Sequence, residues 1–423
     1  MRVFFKFYYI FHSILGNKYA GYSENKHPTG TQLAHLFLLS IIYVSFISLG
    51  LPDGVMGVAW PAVRLDMGQP LAAVGIFTIV GTICAAVSSY FAGAIVKRVG
   101  TGAVVAASCL MTALALVLVG YAYAPSFAWL VALSIPMGIG AGAVDTSLNH
   151  FVAAHYSSRH MNWLHGFWGV GATLGPLIMS WSVTTPTGWT MGTHTIGLLQ
   201  LGLALALFLT LSLWAREKAT HAEDASAQSD QNVIIAIKPH NPLATWLAPT
   251  CFLFYVSAEM GTGLWAASIL ATDRGMPLAQ AGVWVSVYFG SITAGRFAVG
   301  LVANKLGNRK LVQLGIGVAA LGAALFAAHS WVGDASLAGL VLMGLGCAPI
   351  FPSLMHETAR RFADDVARTV ISRQMIFAYI GVSVVPAAFG LLATWAGLGA
   401  IMPMVVVMLL GLLAVTTWLD RLT

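Results

Sequence analysis

The chain reads as an all-α polytopic membrane protein, with twelve transmembrane helices in two pseudo-symmetric six-helix bundles, on three observations. Hydrophobic residues make up 58% of its 423 residues and charged residues only 9%. A soluble domain carries about 25% charged residues, so a fold exposed to water on all sides is excluded. Apolar runs long enough to cross a bilayer, about 20 residues or more, follow one another along the chain. Finally, a block in the first half returns at the same internal spacing 207 residues later.

Twelve spans are expected near 33–62, 71–97, 101–123, 127–155, 161–183, 193–216, 243–273, 279–304, 310–328, 335–362, 367–396 and 398–420. The first is interrupted by Pro52 and Gly54; the second ends on Lys97-Arg98, and the fourth carries Asp145 and Asn149. The seventh contains Glu259 and the eighth Arg296. The first fifteen residues are basic and aromatic without an apolar run closed by small residues, which favours a cytoplasmic or interfacial segment, 1–32, over a cleaved leader. Between the sixth and seventh spans, residues 216–232 have the polar composition of a flexible linker. The expected organisation is therefore 1–32, a bundle 33–216, a cytoplasmic linker 217–242 and a bundle 243–423.

With both termini cytoplasmic, 18 of the 21 Lys and Arg fall in internal segments and only Arg64 and Arg274 outside. Basic residues concentrate on the cytoplasmic side of membrane proteins, so this orientation is the expected one. The location implied is a cell membrane, a bacterial inner membrane, crossed many times by a monomeric chain. In a soluble protein the formal charge of +6 would suggest nucleic acid; here the cytoplasmic loops account for it. Cys84, Cys109, Cys251 and Cys347 each stand alone in an apolar run and read as small core residues.

The repeated block is Gly93-Ala-Ile-Val-Lys97-Arg98-Val-Gly100, matched by Gly300-Leu-Val-Ala-Asn304-Lys305-Leu-Gly307. Asp53 and Glu259 occupy nearly equivalent places, and each is followed by a glycine-rich turn and a tryptophan, Trp60 or Trp265. Two related halves with facing acids suit a carrier whose site lies between them. The loop from Gly300 through Asn304, Lys305, Gly307, Arg309 and Lys310 resembles the cytoplasmic signature of the major facilitator superfamily. Asn304 stands where that family usually has Asp, and Lys97 takes the place in the more eroded first copy. The resemblance assigns these loops, Gly93, Lys97, Arg98 and Gly100 included, to gating.

Within that superfamily the chain is most similar to the fucose permease group of sugar–proton symporters. The resemblance rests on Gly50-Leu-Pro-Asp53-Gly54, Asp145-Thr-Ser-Leu-Asn149-His-Phe151, Asn162-Trp163-Leu164-His165-Gly166-Phe167 and Tyr255-Val-Ser-Ala-Glu259-Met-Gly261. The group has Glu where Asp145 stands and Gln where His165 stands. It implies that the first- and fourth-span acids, Asp53 and Asp145, bind proton and sugar between them. Asn149, Asn162, His165, Tyr255, Glu259 and Trp265 are the candidate substrate ligands.

An acid inside an apolar span is costly and marks a pathway for protons or polar solutes. Pro52 removes a backbone donor and Gly54 loosens the helix, which frees backbone groups beside Asp53 to face a cavity. Asp145 and Asn149, four residues apart, share a helix face. Each acid could instead serve as a fixed hydrogen bond between helices. Arg296 is expected to brace cytoplasmic helix ends, with Glu357 a candidate partner by topology; an anionic substrate is its other reading. Trp60, Trp163, Trp168, Tyr255, Trp265, Trp284, Tyr288 and Tyr379 could stack on a sugar or simply pack.

His150, His155 and His160 are spaced by five, off a common helix face, so no metal site is expected. No P-loop, cofactor motif or activated nucleophile is recognisable, and neither enzyme activity nor a cofactor is expected. The expected partners are a small polar solute, protons and the bilayer. Two other functions stay open: a proton-antiport exporter of drugs or metabolites, and a transport-inactive sensor on the same fold.

Overall fold

The structure, a computed structural model, describes residues 30–121, 126–156, 158–214 and 241–423. Two units are distinguished, 1–39 and 40–423. In the first, residues 30–39 are helical, as the opening turns of α1 (Gly30–Gly50). Most of the expected N-terminal segment and linker lies outside the described residues.

Every regular element among the described residues is helical. The first span consists of α1 and α2 (Val55–Asp66), separated by a turn at 51–54. Next come α3 (Val74–Val99), α4 (Thr101–Tyr121), α5 (Phe127–His155), α6 (Ser158–Ser182) and α7 (Trp189–Leu209). The second half opens with α8 (Ala244–Ser268), prolonged by a π-helical turn, Ile269–Asp273. It continues with α9 (Leu278–Leu306), α10 (Asn308–Ala327) and a short α11 (His329–Val332). The tenth span is α12 (Ala338–Cys347) with α13 (Ile350–Arg361); α14 (Asp364–Ala396) and α15 (Ile401–Leu422) complete the set. Nine stretches of the described residues are long and apolar enough to cross a membrane, and α6, α8 and α9 bring the spans to twelve.

Packing repeats with the chain. In the first half α3 packs on α5, and α4 on both α5 and α7. The second half shows the corresponding pairs: α9 on α12, and α10 on both α12 and α15. Between the halves, α6 pairs with α9 and α14 with α3, and these two contacts are each other's counterparts under the same exchange. Two six-helix bundles related by a pseudo-two-fold axis follow from this pattern.

The turns repeat as well. Gly100 (φ 87°, ψ 155°) and Gly307 (φ 78°, ψ 148°) end the two signature helices in nearly the same conformation. That region is open to glycine and strained for other residues. At the opposite end of the molecule, Gly68 and Gly275, also 207 residues apart, both have positive φ.

The halves seal at the Gly68–Gly275 end. A Cβ on Gly57 would lie 2.3 Å from Gly263 O, and one on Gly75 2.6 Å from Ala387 Cβ. Ser180 donates to Ala279 O, and Ser286 Oγ donates to Thr173 O at 2.7 Å. Trp60 and Trp265, the repeat-related tryptophans, are both fully buried behind this seal. Their indole N–H groups donate to backbone carbonyls, Leu71 O at 2.9 Å and Pro386 O at 2.8 Å.

Candidate functional site

The site begins with the break in the first span. Pro52 lacks the N–H that would continue the ladder, and the chain passes through a turn closed by Asp53 N–Gly50 O and Val55 N–Pro52 O contacts of 3.2 Å each. The turn is pressed against α6, whose glycines admit backbone where side chains would collide. A Cβ on Gly171 would meet Ile47 O at 2.0 Å, and one on Gly175 would meet Leu51 O at 2.0 Å. This Gly-x-x-x-Gly pair was legible in the sequence as a close-approach motif.

Close approach of α6 sets Trp168 over the turn. Its Nε1 donates to Asp53 Oδ2 at 2.7 Å, while Asp53 itself remains exposed. Asp145 is half-buried on α5, and Asn149 Nδ2 donates to its Oδ1 at 2.9 Å, the local pairing expected of residues one helical turn apart. Asp53 lies within electrostatic range of both Asp145 and Glu259, which groups the three acids into one charged centre around Asp53. Tyr379, from the other half, shares a 2.9 Å hydrogen bond with Ser89 and is also within electrostatic range of Asp145.

Arg296 lies within this centre. Its Nη2 is 3.2 Å from Glu259 Oε1, and its guanidinium carbon is 5.1 Å from the Trp168 ring centre. The expected partner, Glu357, is therefore corrected to Glu259. Arg296 stands ten residues before α9 ends at Leu306, far enough back along the helix to reach Glu259 instead. Glu357 is engaged elsewhere: Arg309 Nε is 3.4 Å from it, Arg360 Nη1 2.8 Å and Arg361 Nε 3.8 Å. Asp420 joins the same cluster through Arg309 at 3.6 Å and through Arg361. These contacts tie α10, α13 and α15 together within one half.

The candidate ligands divide by accessibility. Asn149 and His165 are half-buried; Tyr255, Glu259 and Trp265 are buried. Tyr255 Oη donates to Cys347 O at 3.2 Å and lies beside the Glu259–Arg296 pair; Tyr288 Oη donates to Glu259 O at 3.0 Å. His165 packs edge-on to Phe46 and beside Phe351, with no hydrogen bond to a described residue. The side chain of Asn162 lies outside the described residues, as do those of Asn304 and Lys305.

Among the gating candidates, Lys97, Arg98, Arg309 and Lys310 are exposed. A Cβ on Gly93, Gly100, Gly300 or Gly307 would meet no atom within 4 Å. In this conformation the signature glycines therefore do not bring helices together; Gly57, Gly75, Gly171 and Gly175 do. The sequence offers Trp168 only as one of eight aromatics that could stack on a sugar or simply pack, and it gives these four glycines no role in the site.

A sequence profile of the Major Facilitator Superfamily matches residues 42–266 and 247–422. The niacin transporter NiaP of Acinetobacter baylyi is 27% identical over 159 residues, which span 37% of this chain and 36% of that protein. A bacterial homologue of the human lysosomal transporter Spinster, inward-facing and occupied, superposes with a TM-score of 0.72 at 13% identity, covering 93% of this chain and 98% of that one. A D-xylose-proton symporter gives 0.73 at 11% identity, covering 92% and 98%. At these identities the two structures speak for the fold alone.

Proposed function

From the premise that the chain belongs to the Major Facilitator Superfamily, we propose that it is a proton-coupled carrier that takes up a sugar or similar polyol by alternating access. One observation carries this reading: Asp145 and Glu259 both lie within electrostatic range of Asp53, and among the described residues Glu259 alone of the three pairs with a cation. Asp53 is held by an indole N–H and Asp145 by an amide, neutral donors that leave each carboxyl able to take up and release a proton. Ionisable groups of this kind at membrane depth serve as proton relays in carriers.

The solute side is supported by the neutral polar groups around the acids. Asn149, His165 and the Ser89–Tyr379 hydroxyls offer donors and acceptors, and Trp168 and Phe351 offer apolar faces, a combination suited to a polyol. The partial likeness to a niacin transporter agrees with a small polar solute. Asp53 and Asp145 would carry protons, while the basic loops would form the gate on the cytoplasmic side with both termini.

With the Gly68–Gly275 end sealed, alternating access would open the site toward the basic-loop end. The excess of carboxylates over cations also suits an organic cation, which keeps a proton-antiport exporter as the second reading.

Proteoliposomes with an imposed pH gradient separate these functions. Accumulation of labelled hexose or pentose that follows inward proton flow supports uptake. Proton-driven extrusion of a lipophilic cation would replace it with the exporter, and binding without flux with a sensor. Asp145→Asn is expected to abolish uphill accumulation while retaining solute exchange; wild-type accumulation in that variant would remove Asp145 from the coupling step.

A further inference from the structure

Trp168 touches a charged centre in each half. Its N–H donates to Asp53 Oδ2 at 2.7 Å, and Arg296 of the other half stands 5.1 Å from its ring centre. We propose that Trp168 is a positioning residue that links proton occupancy of Asp53 to the seating of Arg296; this rests on the proton-coupled reading above.

The backbone of Trp168 is fixed to the first span, because a Cβ on Gly50 would lie 2.1 Å from Trp168 O. Trp168 and Asp53 therefore move as one body. Arg296 belongs to the body on the other side of the α6–α9 interface, where Thr173 Oγ1 and Thr293 Oγ1 meet at 3.4 Å. The indole–guanidinium contact is thus one that relative movement of the halves makes and breaks. The donor-only indole N–H binds an ionised carboxylate more strongly than a neutral acid. With Asp53 ionised, the ring is held and presents its face to Arg296. When Asp53 takes a proton from water, that hold weakens, the ring can turn, and Arg296 is left to Glu259 alone. Proton release restores the contact, and no other bond changes.

Other charged or titratable groups lie around this centre. They are Asp145 on α5, His165 on α6, Glu259 on α8 with Tyr255 beside it, and Arg296 on α9.

Infrared difference titration of the full chain in lipid reads the link without a solute. The signal is the protonated-carboxyl stretch that Asp53→Asn removes. Trp168→Phe is expected to move the midpoint of that signal by about one pH unit to the alkaline side, because the carboxylate loses its donor. An isosteric benzothienylalanine at 168 keeps the ring and lacks the N–H, and should give the same shift should the Phe variant fold poorly. Replacing the ion pair by Glu259→Gln with Arg296→Met should move the wild-type midpoint more than it moves that of the 168 variant. A resolved midpoint that ignores Trp168→Phe and the isostere overturns the link and leaves the proton-coupled reading standing. No Asp53 titration between about pH 4 and about pH 9 overturns both.

Discussion

Glu259 and Arg296 form an ion pair across the seventh and eighth spans, with Oε1 and Nη2 3.2 Å apart and side-chain exposures of 5% and 13%. A pair this enclosed holds its geometry because either charge left alone would be costly, and it joins the solute centre to the packing of α8 on α9. The same arginine faces Trp168 of the first half. One residue therefore serves both the stability of its own bundle and the contact between bundles.

Breaking that pair from one side is predicted to be worse than replacing it. Glu259→Gln leaves Arg296 uncompensated and should cost about 3–5 kcal/mol; the double change Glu259→Gln with Arg296→Met should recover much of the loss. Unfolding in detergent can be followed with a thiol-reactive dye, because Cys109, Cys251 and Cys347 are buried and free. Equal melting of the single and double variants would contradict the prediction.

The Glu357 cluster should show a graded response. Glu357→Gln removes the common partner of Arg309, Arg360 and the nearly buried Arg361, and a loss of several kcal/mol is expected, on the order of 3. Arg360→Ala removes a 65%-exposed partner and should cost about 0–1 kcal/mol. The same dye-based melt checks both, and a larger effect at Arg360 would reverse the assignment of Glu357 as the centre.

Closure at the Gly68–Gly275 end depends on Gly57. A methyl there would sit 2.3 Å from Gly263 O, so Gly57→Ala should disfavour the sealed state. Overpacking of this kind costs about 1–3 kcal/mol, enough to lower the sealed-to-open ratio about fivefold or more. Accessibility of a cysteine placed beside Gly263 should rise correspondingly. The control is Gly93→Ala, which meets no atom within 4 Å and should leave accessibility unchanged.

His165 separates binding from folding. It has no hydrogen bond to a described residue, so His165→Leu should change the melting point little, by less than about 1 kcal/mol. If the imidazole bonds the solute, KM for hexose uptake should rise about tenfold, the worth of one hydrogen bond of about 1 kcal/mol or slightly more. A wild-type KM in the variant would leave His165 out of the binding set.

Sequence by itself determined the helical membrane fold, the place of the break at Pro52–Gly54 and the pairing of Asp145 with Asn149. Those features are local: apolar run length selects spans, a missing N–H breaks a ladder, and residues four apart share a helix face. The repeat was legible for a related reason, since Gly100 and Gly307 mark equivalent turns whatever surrounds them. Tertiary structure alone decided that Arg296 meets Glu259, 37 residues away, rather than Glu357, and that Trp168 holds Asp53 across 115 residues. It also decided which glycines do the packing in this conformation. Contacts between helices depend on how far each slides and turns against its neighbour, and a rise of 1.5 Å per residue makes one turn's slip enough to exchange partners, about 5.4 Å.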